Sequence, residues 1–68
     1  MPMTGDELRS IRKRLGLTLM GMADRIGVHW NTIARWERDE VGMPEPAARL
    51  ARLLVTLEKR TAKHKRGR

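Results

Sequence analysis

The chain has 68 residues, a formal net charge of +7, two Trp, and no Cys, Phe or Tyr. That length holds one small domain, marginal enough that self-association often completes it, and the missing cysteines exclude disulfides and thiolate metal sites. His29 and His64 are too far apart in sequence to suggest a metal pair, no apolar run approaches the roughly 18 residues of a membrane span, and no signal-peptide core opens the chain. A soluble, cytoplasmic protein with no metal, no cofactor and no membrane role is expected.

A first helix starts at Thr4 or Asp6, either of which can cap it, with Asp6 and Glu7 suiting its positive end. Leu8, Ile11 and Leu15 share one face, and Arg12 sits in the middle of that face. Gly16 stops the helix as its C′ residue. Thr18 then caps a second helix whose apolar stripe is Leu19, Met22, Ala23 and Ile26. Gly21 weakens this helix, Gly27 closes it after barely two turns, and the small Ala23 permits close approach of a neighbour.

Val28 and His29 form the connection to a third helix from about Trp30 to Arg38, with Ile33 and Trp36 as its apolar positions. The two tryptophans lie six positions apart. At about 100° per residue that separates them by roughly 240° around the helix, so they do not face the same core. Glu37, four residues after Ile33, is an acid on an apolar face, as Arg12 is a base on one. Alone each costs several kcal/mol, about what a buried unpaired ion requires; together they can fix how the first and third helices dock. The alternative is two solvated side chains at the stripe edges.

The stretch "DEVGMPEP" is the longest break, and Pro46 suits the first turn of a last helix running to about residue 60. Its expected core stripe is Ala47, Leu50, Ala51, Leu54 and Leu57, with Leu53 and Val55 on the flanks. This apolar arc is wider than one small domain needs and points to a second subunit. No strand or repeat is expected, so the class is all-α with four to five short helices. Residues 59–68, "KRTAKHKRGR", hold six basic residues and no acid, which leaves residues 1–58 near neutral. We therefore expect a folded domain over 1–58 and a basic, disordered tail over 59–68. The tail is either a solvated end or a sequence-independent phosphate anchor, and it lacks a bulky apolar residue for a membrane surface.

A capped short helix, a Gly-containing turn and a second helix in a small basic protein is a helix-turn-helix arrangement. The frame "LTLMGMADRIGVHWNTIARWE", with Arg12, the "RKRLGLT" entry, the "RWE" exit and the Pro-containing loop, resembles the Cro/repressor (Xre) class of phage and bacterial DNA-binding proteins across residues 6–57. The resemblance implies a lambda-repressor-like domain. It also implies a pairing of Arg12 with Glu37, Trp36 inside, and Trp30 in the first turn of a helix that enters the major groove of double-stranded DNA. The base-facing positions it implies are Trp30, Asn31, Ala34 and Arg35. Arg35 suits guanine O6 and N7, and Asn31 suits adenine N6 and N7 unless it serves as a cap; Trp30 and Ala34 suit a thymine methyl, or Trp30 lies along the sugar–phosphate wall. Thr18, Thr32 and Arg38 are placed for phosphate oxygens, as are amides at the starts of the second and last helices.

Four residues depart from the family pattern. Leu19 stands where Gln is frequent, His29 where Ser or Thr caps, and Asp39 and Glu40 where basic or amide residues approach the backbone. They shift interest to the basic tail as the phosphate clamp. The expected function is a sequence-specific transcriptional regulator, a repressor binding a palindromic operator as a homodimer. The alternatives are an antitoxin-like protein that binds a partner protein and represses its own operon, and RNA binding through the same helix and tail. No catalytic cluster supports an enzyme.

Overall fold

A computed structural model describes the backbone of residues 3–66 and the side chains of residues 3–59. Four helices follow one another: α1 (Gly5–Arg14), α2 (Leu19–Ile26), α3 (Trp30–Glu37) and α4 (Glu45–Arg66). There is no strand among the described residues.

Local chemistry accounts for the helix ends. Thr4, rather than Asp6, caps α1, its hydroxyl accepting from the Glu7 amide at 3.1 Å. At the other end Gly16 takes φ +70, its amide donates to Lys13 O, and the Leu17 amide donates to Arg12 O at 3.1 Å. This paired arrangement is the Schellman stop, which satisfies carbonyls the helix leaves open. Thr18 caps α2 by accepting from the Gly21 amide, and Gly27 closes it at φ +90. His29 caps α3, its Nδ1 accepting from the Asn31 amide at 3.1 Å.

The end of α3 repeats the Schellman stop with a residue other than glycine. Asp39 takes φ +60, its amide donates to Trp36 O, and the Glu40 amide donates to Arg35 O at 3.0 Å. Asp is among the few side chains that tolerate this region, and here it has a second task. Its Oδ1 accepts from the Gly5 amide at 2.9 Å, the first open donor of α1. Gly5 in turn must be glycine: a Cβ there would lie well inside contact distance of the Glu37 carbonyl oxygen. The start of α1 therefore rests directly on the end of α3.

The core gathers Leu8 from α1, Met22 and Ala23 from α2, Ile33 and Trp36 from α3, and Ala48 and Ala51 from α4, with Met3 and Met43 closing it from the flanking segments. Ile11, Leu15, Leu17, Leu19, Ile26 and Leu54 pack around it.

In two respects α4 differs from the pattern read in the sequence. Of the expected core stripe, Ala51 is fully buried and Ala47 and Leu54 pack against the core, but Ala48, not in that stripe, is also fully buried, and Leu57, expected in it, is 46% exposed. The small Ala48 and Ala51 side chains let α4 lie close to its neighbours, while Leu53 and Leu57 are about half exposed. The helix also passes residue 58 without a break and continues to Arg66. Residues 59–66 contain no Gly or Pro, Ala, Lys and Arg are good helix formers, and cations suit a helix C-terminus. The tail expected over 59–68 is thus helical backbone of α4 as far as residue 66; residues 67 and 68, and all side chains from 60 onward, lie outside the described residues.

Candidate nucleic-acid interface

The orientation of α3 is set by a buried carboxylate. Glu37, 6% exposed, is the one buried charged residue among those described. Arg12 meets it in a forked contact, Nε to Oε2 at 2.6 Å and Nη2 to Oε1 at 3.2 Å. Two parallel charge-assisted bonds of this kind specify direction as well as proximity. The remaining Arg12 nitrogen, Nη1, donates to the Leu17 carbonyl at 3.1 Å, so one guanidinium ties α1, the loop before α2 and α3 together. Arg9 adds Nε to Glu37 Oε1 at 3.5 Å. The hydrogen bond to Glu37 raises the Arg12 pKa despite the desolvation that opposes it, so the cation persists at any working pH. Arg9, the Leu17 carbonyl and the Gly5–Asp39 contact were not singled out in the sequence; their signal is tertiary.

With that side of α3 held inward, its other side is free. Trp36 is 6% exposed within the core, while Trp30, at the helix start, is 44% exposed. Asn31 and Arg35 are exposed, and Thr32 is half-buried. Ala34, the fourth of the expected base-facing set, is 7% exposed. Four residues beyond Trp30, it lies on the same line of the helix.

The expected phosphate contacts are in different states. Thr18 uses a lone pair of its hydroxyl as the α2 cap, which leaves its O–H able to donate outward. Arg38 donates through Nε to Glu40 Oε2 at 2.6 Å, both side chains about half exposed. Hydrogen bonding between the two raises the Arg38 pKa and lowers that of Glu40. The pair thus persists above the ordinary carboxylate range and is lost only as pH falls through the lowered Glu40 value. To meet a phosphate, Arg38 must share or release Glu40. The two acids that depart from the family pattern therefore have local tasks, Asp39 at the start of α1 and Glu40 on Arg38. Of the expected tail clamp, only the Lys59 side chain is described, and it is exposed; the other tail side chains lie outside the described residues.

Two surface hollows flank this region. One, about 190 Å³, lies between α2 and α3 and is lined by Met20, Ala23, Asp24, Val28, His29 and Trp30. Met20, 69% exposed, was not singled out in the sequence. The other, about 300 Å³, lies between the α1–α2 loop and α4 and includes Leu15, Leu17, Leu54 and Leu57, with Arg25 and Glu58 in its lining. Among the described residues no group of three or more His, Cys, Asp or Glu is arranged to hold a metal ion, and no helix is long and apolar enough to cross a membrane.

No curated protein and no solved structure matches the chain. A family profile described as "Helix-turn-helix domain" matches residues 4–62, nearly the whole chain and all of the α1–α3 arrangement described above. That match agrees with the all-α architecture and with the Xre-type frame around α2 and α3. The chain belongs to the helix-turn-helix domain family of DNA-binding proteins.

Proposed function

We propose that the protein is a sequence-specific transcriptional regulator, a repressor that binds a palindromic operator in double-stranded DNA as a homodimer with α3 in the major groove. The observation that carries this reading is the division of α3. One side is locked to α1 through Arg12 and Glu37, and the other presents Asn31 and Arg35 beside the half-exposed Trp30. A rigid helix with exposed side chains that match base edges is what direct readout needs. Thr18, Thr32 and Arg38, with the basic end of α4, supply phosphate contacts.

The dimer reading is supported by Leu53 and Leu57, both about half exposed on α4. The same row also supports the second reading, in which α4 holds a different protein and the chain acts as an antitoxin-like autoregulator.

Selection of bound sequences from a random DNA pool tests the first reading. A palindromic consensus with half-sites about 10–10.5 bp apart, or a multiple of that, is expected. Arg35→Ala and Asn31→Ala should each relax preference at particular base pairs by about 1–3 kcal/mol. No enriched sequence, or an enriched asymmetric half-site saturated by one chain, refutes it. Recovery of a stoichiometric second protein that occupies α4 favours the antitoxin-like reading.

A further inference from the structure

The hollow between the α1–α2 loop and α4 has no part in the proposed DNA contacts. It measures about 300 Å³, and its apolar walls are Leu15 and Leu17 from the α1–α2 connection and Leu54 and Leu57 from α4. Arg25, in the last turn of α2, and Glu58, on α4, complete the lining. Both are exposed, and among the described residues neither has an ion pair. Leu53 stands one turn before Leu57 on the same line of α4 and is 50% exposed. A projecting apolar side chain therefore borders an apolar hollow.

A knob and a hole on one face are what a two-fold contact between identical chains requires. The same patch then occurs on both sides, and wherever one residue meets a second, the second meets the first. The charges satisfy the same condition. A two-fold axis through the hollow exchanges its α2 and α4 walls, which sets Arg25 of one chain against Glu58 of the other, twice in each dimer. One cation and one anion favour neither an acidic nor a basic partner, yet they make the patch complementary to its own copy. Rim charges of this kind fix register and exclude wrong partners more than they add affinity, which the leucines supply.

We infer that this face binds a second copy of the chain, with Leu53 of each copy seated in the leucine-lined hollow of the other and Arg25 paired with Glu58 across the two-fold axis. The inference rests on the proposed homodimer and adds to it the surface, its symmetry and the two charges that set its register.

The test is sedimentation equilibrium of the full chain without DNA, on the wild type and on Arg25→Glu and Glu58→Arg. Both substitutions change exposed side chains outside the proposed base and phosphate contacts, and circular dichroism checks that each variant stays helical. Either variant alone brings like charges together at two places and should weaken dimerisation by about tenfold or more. The two variants mixed in equal amounts should form a heterodimer of wild-type strength. In that mixture reversed charge meets reversed charge at one place and native meets native at the other. Leu53→Ser should weaken all of these dimers. Pairing of Arg25 with Glu58 inside one chain predicts no such rescue on mixing. A wild-type dimer indifferent to both reversals, or two variants that fail to rescue each other, overturns this inference alone. A wild-type chain that stays monomeric at millimolar concentration overturns the homodimer reading and this inference with it.

Discussion

Removing Arg12 should harm the protein more than removing Glu37, although they are partners in one contact. The asymmetry follows from their surroundings. The Glu37 side chain is 5% exposed and the Arg12 side chain 16%. In Arg12→Ala the carboxylate stays in the interior, and Arg9, at 3.5 Å, is its remaining described ion partner. An uncompensated buried charge of this kind costs about 3–5 kcal/mol. In Glu37→Ala the guanidinium keeps its bond to the Leu17 carbonyl and a route to water, so the loss should be nearer the 1.5–3 kcal/mol of a hydrogen bond to a charged group. Arg12→Lys keeps the charge but loses the fork and should fall between them. Replacing both residues by Met should recover most of the loss, because apolar packing often matches a buried ion pair. Urea unfolding followed by the fluorescence of buried Trp36 measures each value. For a domain of this size about 4–8 °C accompanies each kcal/mol, so Arg12→Ala should lower the Tm by about 12 °C or more. The raised Arg12 pKa means that its contribution is lost only above the ordinary guanidinium range, so the ranking should not change between neutral and mildly alkaline pH. A larger loss for Glu37→Ala than for Arg12→Ala, or a loss under about 0.5 kcal/mol for Arg12→Ala, refutes the reasoning.

Three further outcomes are expected. Gly5→Ala places a methyl group against the Glu37 carbonyl and should destabilise the fold by about 1–3 kcal/mol in thermal denaturation, although Ala is ordinarily the better helix former. Trp36→Ala should cost about 3–5 kcal/mol, whereas Trp30→Ala should leave stability nearly unchanged; acrylamide should quench one indole readily in the free protein and the other poorly. Deleting residues 59–68 should weaken specific and random DNA binding by a similar factor and flatten the salt dependence, each lost phosphate contact removing about 0.9 from the slope of log K against log salt. An unchanged slope would leave phosphate binding to the folded domain.

Much of this architecture is written in short-range chemistry. Thr4, Thr18, Gly16 and Gly27 act on backbone groups within a few residues of themselves, so the starts and stops of α1 and α2 can be read directly. The inward turn of Trp36 and the outward one of Trp30 follow from helical geometry and the position of Ile33. Arg12 and Glu37 were recognisable as partners because each put a charge on an apolar face. Beyond that range the outcome depends on how closely the helices approach and at what rotation, which no local pattern encodes. Ala34 shares a line of the helix with exposed Trp30 and is nonetheless buried. Ala48 is fully buried and Leu57 half exposed, although the sequence stripe placed Leu57 in the core and not Ala48. Met3 and Met43, outside any helix, become core when the folded chain brings them over it. Asp39 read as a surface acid until folding put the Gly5 amide 2.9 Å from its carboxylate. The cleft beside Trp30 needs Met20 from one helix and Trp30 from the next. Sequence determined the helix starts and stops and the Arg12–Glu37 pair that docks α1 on α3; tertiary packing decided which of their remaining faces meet solvent.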